Sequence, residues 1–507
     1  MVSRRSLLTT AVAAAIVPYA KGRAASQKVN SQDLALLDLL TWGASPSAIR
    51  DFLTLGRKQW LRGQLTPPAQ VPLPPDVQQQ IDGLTISQRS AVDLARSFEV
   101  QGRAIKGIAD PAARAEAKKL YQTEMADMAR QAATASILRA LYAPDQLRER
   151  MTWFWFNHFN VYQGKGIIRV LVGDYEQNAI RRYALGYFRD LLMATLRHPA
   201  MMRFLDNADN KAGHVNENYA REIMELHTMG VGSGYTQQDV EQLARILSGA
   251  GIDVRPDNPR LKPELQPLLV RDGAFLFNPA RHDFSDEIFL GKTIKGSGFP
   301  EIEQAVDMLC AHPATARHIA RRIALYFVSD NPPESLVARM TRRFTESKGH
   351  IASVLDVMIS SPEFVASLGT RFKDPVRYVY SAVRMAYDDK LIINTAPIQG
   401  WLNRLSEGLY NRLTPDGYPL DSLAWLSSGQ MMARFDIAQK IGAGAAALFR
   451  RPDEKGAGGA VLPLLQNGAY FDVRRATLSR QTRAALDEAT SPQEWNTLFL
   501  SSPEFMS

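Results

Sequence analysis

HPATARHIARRIALYFV, residues 312–328, decides the fold class. Ala316, Ile319, Ala320, Ile323 and Phe327 recur at helical spacing and make one apolar stripe, with Arg317, Arg321 and Arg322 off it. Pro313 fits the first helical turn, where its missing N–H leaves no bond unmade. The same periodicity extends outward over most of the chain. Residues 31–65 read as two short helices, with Leu36, Leu39 and Leu40 on one face and Pro46 opening the second. Residues 111–142, rich in Ala, Arg, Lys and Glu, read as one long polar helix whose charges form a solvated face. PPAQVPLPPD, residues 67–76, forbids helix and predicts an extended linker. Residues 251–300 break the pattern. PLLV-RDG-AFLF predicts a hairpin around Asp272-Gly273, and EIFLGKTI a further strand. ISSPEF at 359–364 recurs as LSSPEF at 500–505, a helix stop followed by a buried Phe.

The expected fold is mainly α, a multi-helix globular architecture with a small β-hairpin and strand excursion near 260–295. Its parts are N-terminal helices (26–66), a proline-rich linker (67–80), a central helical region (81–250), a β-containing insertion (251–300) and a C-terminal helical region (301–507). Residues 26–507 are expected to form one unit.

The 507 residues are 45% hydrophobic and 22% charged, enough for a large core. A single cysteine, Cys310, excludes an internal disulfide framework and any multi-cysteine zinc or iron–sulfur site. The net charge is +8, but Arg4, Arg5, Lys21 and Arg23 stand in the first 25 residues with no acid among them. The remaining excess of four charges is too thin for a nucleic-acid partner. The segment Ser3-Arg4-Arg5-Ser6-Leu7-Leu8, the apolar run to Ala20 and the small residues at Ala24-Ala25 read as a twin-arginine-type signal peptide over 1–25. The general secretory route is the rival reading. Either predicts an exported protein, periplasmic or extracellular. No later segment has 18 uncharged apolar residues, so no transmembrane anchor is expected after cleavage.

Residues 145–250 concentrate aromatics, amides and glycines. FWFNHF (154–159), ALGYFRDLL (184–192), HPAMMRFLDN (198–207), NENYAREIMELHTMGVG (216–232) and YTQQDVEQLARILSG (235–249) stand there, with FNPARHDF (277–284), LGKTI (290–294) and PDGYP (415–419) further on. From about Leu37 to the C-terminus the chain resembles a bacterial family catalogued as domain of unknown function 1800. The resemblance implies an exported, mainly helical protein with no settled activity. It also implies a possible partner, an exported sulfatase- or phosphatase-like protein encoded nearby. Tyr187 departs from the family, which has a small amide there, so no ligand role is carried over to that position.

On a helix from Asn216 to Gly230, with Asn216 as N-cap, Asn218, Glu222 and Glu225 fall within about 60° of one another. Arg221 lies on the rim of that arc, and His227 projects to nearly the opposite side. Such a face can bind a cation through oxygen, a divalent metal being one candidate cofactor. It can form an acid–base pair. Or it can be a buried polar clamp. His158, between Asn157 and Asn160 in an aromatic run, is a candidate general base, metal ligand or substrate contact. Asp206-Asn207 reads as a turn or as the carboxylate lip of a site. His282-Asp283 reads as a turn, or completes a site with Glu222 and His158 if the hairpin folds over the Asn-Glu-Asn helix. Glu222, Glu225 and His158 are thus the candidate catalytic residues, and Asn157, Asp206, Asn207, Asn218, Arg221, His282 and Asp283 the candidate substrate contacts. No H-E-x-x-H, G-x-S-x-G or Walker loop is present. Gly230–Gly234 reads as a helix stop. Two functions fit: a hydrolase or lyase on an envelope or extracellular polymer using carboxylate or metal-assisted acid–base chemistry, or a non-catalytic partner or assembly factor for a sulfatase-like exported protein.

Overall fold

A computed structural model describes residues 29–451, 454 and 459–507. The signal segment read at 1–25 lies outside them. Helix accounts for 63% of the chain and strand for 4%, so the core is built by helix packing on helix. Its centre is the helix Gln146–His158, every residue of which is buried. The helix Pro375–Tyr387 is almost as enclosed, and Leu34–Leu40 of the first helix, Ser31–Leu40, is buried throughout. A helix without a solvent face must be apolar on most sides or satisfy its polar groups internally.

The long helix runs Pro111–Tyr142, opened by Asp110, whose side chain accepts from the Ala113 amide. Its first turns are exposed and its last three turns are buried. The stripe of residues 316–327 is buried as the periodicity requires, in a helix Pro313–Phe327. The two SSPEF segments build the same device. Ser361 and Ser502 accept from the amides of Phe364 and Phe505, proline follows at N1, and both Phe rings are fully buried.

Three expectations change. The segment 31–65 forms three helices, because Gly56 takes φ 75° and separates Pro46–Leu55 from Arg57–Leu65. The 67–76 stretch is extended only to Pro74. Pro75 opens the helix Pro75–Asp82, since a proline at N1 has no hydrogen bond to lose. Nor is the stretch a free linker: the Arg148 guanidinium donates to the carbonyls of Pro68 and Ala69. EIFLGKTI is two strands, Glu287–Phe289 and Lys292–Ile294, paired antiparallel across Leu290 (φ 46°) and Gly291 (φ 74°). The Asp272-Gly273 hairpin forms as expected, Val270–Asp272 against Phe275–Phe277. Ala250–Ile252 then adds to the other edge of the latter strand. No helix of the described residues is long and apolar enough to cross a membrane.

The stripe's packing sets its own test. Ile323→Ala, at a fully buried site, should cost about 2–5 kcal/mol in chemical denaturation. Leu120→Ala, 58% exposed on the long helix, should stay within about 0.5 kcal/mol. Equal effects would refute the proposed core.

Candidate functional site

The Asn-Glu-Asn segment starts a helix by local bonding. Asn216 Oδ1 accepts from the Asn218 amide (3.0 Å), and the Asn216 amide is held by Asn210 Oδ1 (3.0 Å). Only Asn218–Glu222 is α-helical; Ile223–His227 widens into a π turn. Thr228 Oγ1 caps the Ile223 carbonyl, and the Gly230 amide reaches the Met224 carbonyl (3.1 Å). Gly230, Gly232 and Gly234 all take positive φ, which ends the helix as the glycine run implies.

Glu222 and Glu225 remain neighbours despite the wider turn. Burial, the Glu225 charge and the Asp416 charge raise the Glu222 carboxyl above the ordinary range, with Arg221 opposing. Glu222 has no hydrogen-bond partner among the described residues. Arg221 donates to Glu217 (3.0 Å) and to Gln237 Oε1 (2.8 Å), and lies 3.6 Å from Glu225. The Tyr235 hydroxyl faces Glu225. Burial and its bond to that carboxylate push the phenol up to about 12. Asn218 is exposed, and its amide donates to the Leu205 carbonyl (3.2 Å). The cluster is therefore Glu222, Glu225 and Arg221 on one helix, Tyr235 from the next segment and Asp416 from the PDGYP loop. Sequence reading missed Tyr235 and Asp416 as site members. Their only signal was that each sits in a quoted motif.

His158 does not join this cluster. It is buried, and its Nε2 donates to the His227 carbonyl (3.0 Å), which fixes its tautomer. Its ring lies 5.9 Å from His227 and 6.1 Å from His318. Burial, then the Arg322 charge and the two histidines, hold it well below the ordinary range, so it is neutral. His227 is buried with its ring beside His158 and Phe159, whereas Glu222 and Glu225 are half-buried. Arg322 stays off the buried stripe, as its spacing implies, and stands half-buried beside the histidines. Burial lowers it to about 10 against the pull of Asp416.

Asn157 serves the chain itself. Its Nδ2 donates to the Tyr418 carbonyl (2.9 Å), and its Oδ1 accepts from the Tyr418 amide (2.6 Å). Asn160 donates to the carbonyls of Arg412 and Thr414. The two amides thus hold the loop that presents Asp416. Gly417 lies so close to Asn157 that a Cβ would sit 2.0 Å from its carbonyl oxygen.

The remaining candidates have other side-chain partners. Asp206, at φ 61°, pairs with Lys165 (2.7 Å). Asn207 is buried and donates to the Ala250 carbonyl (2.9 Å). His282 makes no hydrogen bond or ion pair with Glu222 or His158: its Nδ1 meets the Ser248 carbonyl (2.8 Å) and its Nε2 meets Glu301 (2.9 Å). Asp283 accepts from the Ser285 amide. Among the described residues, no three or more His, Cys, Asp or Glu side chains group so as to hold a metal ion.

No curated protein and no solved structure matches the chain. The family described as "Protein of unknown function (DUF1800)" matches residues 35–507, nearly the full length, and the chain belongs to that family.

Proposed function

We propose that the protein is an exported hydrolase acting on an envelope or extracellular polymer, with Glu222 as general acid and Glu225 as general base. The observation that carries this reading is the Glu222 carboxyl itself. It is half-buried, free of hydrogen bonds and raised by two neighbouring acids. Two carboxyls whose environments push their affinities apart divide the roles of acid and base. Glu222 passes its proton to the oxygen leaving the polymer chain as the carbon–oxygen bond breaks. Glu225 takes a proton from the water whose oxygen bonds to that carbon. Arg221 and Tyr235 hold Glu225 in place. In the lyase variant of this chemistry, Glu225 removes a proton from carbon and no water enters.

A second reading, a partner or assembly factor for an exported sulfatase-like protein, draws on a different observation. Leu423 is 79% exposed, and Leu426, Met432 and Phe435 follow it, exposed, on the turn Ser422–Trp425 and the helix Ser428–Gly442. Neighbouring exposed apolar side chains mark interaction surfaces. Under that reading Leu423→Glu with Phe435→Glu abolishes co-purification with the sulfatase-like protein, and Glu222→Gln changes nothing.

The enzyme reading makes two predictions. Release of new chain ends from purified envelope polysaccharides should fall by about 10²-fold or more in Glu222→Gln. Its alkaline limb, set by Glu222, should move to lower pH in Asp416→Asn, which removes a charge that raises Glu222. A limb that stays put rejects the assignment. The second prediction needs no substrate. In the folded chain Glu222 keeps its proton to higher pH than in the unfolded chain, so its ionisation costs stability. That cost is absent below about pH 4 and complete once pH exceeds the raised value. Glu222→Gln should therefore melt higher than the parent at pH 7 and equal to it at pH 4.

A further inference from the structure

Arg150 sits in the middle of the enclosed Gln146–His158 helix and is 1% exposed. Its guanidinium lies 4.6 Å from the Trp42 ring centroid and 4.7 Å from that of Tyr326. Aromatic faces attract a cation but do not neutralise it. Among the described residues, no carboxylate stands within ion-pair distance of Arg150, and its Nε and Nη1 are buried with no hydrogen-bond partner. An arginine cannot shed its proton to escape such a site. A buried, unpaired charge is among the most destabilising features a core can hold, so a compensating group is needed.

Arg150 lines a cavity together with Tyr326, Arg377, Asp374, Glu407 and Trp153, under a roof made by residues 419–425. The Tyr326 hydroxyl and the Arg377 Nε are likewise buried without partners. Three side chains in one chamber therefore carry donors that lack acceptors. The two acids on the wall form no ion pair with Arg150, and each accepts from a backbone amide. Asp374 accepts from the Arg377 amide at a helix start (2.7 Å), and Glu407 accepts from the Val376 amide (3.1 Å). Burial and the Asp374 charge also push the Glu407 carboxyl upward, toward its neutral form.

We propose that this chamber binds a small monovalent inorganic anion of the chloride type, seated against the Arg150 guanidinium. Size selects the class. The free space is about 10 Å³ for the centre of a water-sized body, roughly one water. Asp374 and Glu407 on the same wall disfavour a divalent or bulkier anion such as phosphate or sulfate. A water fits but brings no charge to offset the arginine. The inference is independent of the reaction assigned to Glu222.

The test uses the full chain, prepared chloride-free in gluconate. Thermal melts in sodium chloride, bromide and gluconate at equal, low ionic strength, where general stabilisation by excluded anions is small, should separate. Chloride and bromide should raise Tm by about 1–3 °C over gluconate, whereas the same Tm in all three overturns the proposal. Crystals grown in bromide should show an anomalous peak beside Arg150. A chamber holding water alone, or nothing, also overturns it. Arg150→Met should lose the halide-specific increment, and retention of that increment counts against the site. If that variant does not fold, the anion series and the bromide map of the parent protein decide.

Discussion

A helix with no face in water imposes the layout of everything around it. Gln146–His158 carries seven polar or charged side chains into the core, and each must find a partner there or remain costly. Gln146 accepts from the Trp42 amide and donates to the carbonyls of Ala140 and Ala143. Thr152 donates to the Arg148 carbonyl within its own helix. Glu149 takes Arg181 at 2.6 Å, and Arg148 gathers the 67–69 segment. Asn157 takes the PDGYP loop and His158 the end of the π turn. Several of these bonds reach distant segments, the one from Asn157 spanning 261 residues. The polar residues of this helix are thus what set the path of the surrounding chain, and Arg150 alone is left without such a partner.

That arrangement explains why the carboxylate cluster is assembled from three separate places. The π turn seats Glu222 and Glu225 beside one another and turns His227 inward. The glycine run delivers Tyr235, and the amide-clamped loop brings Asp416. Close negative charges are unfavourable unless one of them holds a proton or a cation intervenes. Arg221 answers part of this, and the raised Glu222 carboxyl expresses the remainder. Sites of this kind are maintained against local stability.

Features governed by short-range chemistry were legible in the sequence. The start of Pro111–Tyr142 follows from a capping Asp and a first-turn Pro. The 270–277 hairpin follows from Asp-Gly between β-prone runs, and the helix stop at 230–234 from glycines needing positive φ. The proximity of Glu222 and Glu225 followed from helical spacing alone. Features set by distant partners were not legible. Leu290-Gly291 is a weak turn signal, yet pairing forces Leu290 to φ 46° and divides the predicted strand. The π turn is a local feature that helical spacing alone does not show: Thr228 and Gly230 bond to carbonyls five and six residues back. Asp416 lies nearly two hundred residues from Glu222, so only the tertiary fold could pair them. The partners of the candidate amides were hidden for the same reason: Asn157 and Asn207 bond to backbone brought in by the tertiary fold.

The twofold grip of Asn157 and Asn160 on residues 412–418 has a consequence for genetics. Neither amide meets solvent, and neither contacts the acidic cluster, yet both govern where an exposed aspartate stands. Alleles at these sealed positions should sort phenotypically with lesions at the surface they support. A map of damaging variants would then trace the inner scaffold as sharply as the outer rim.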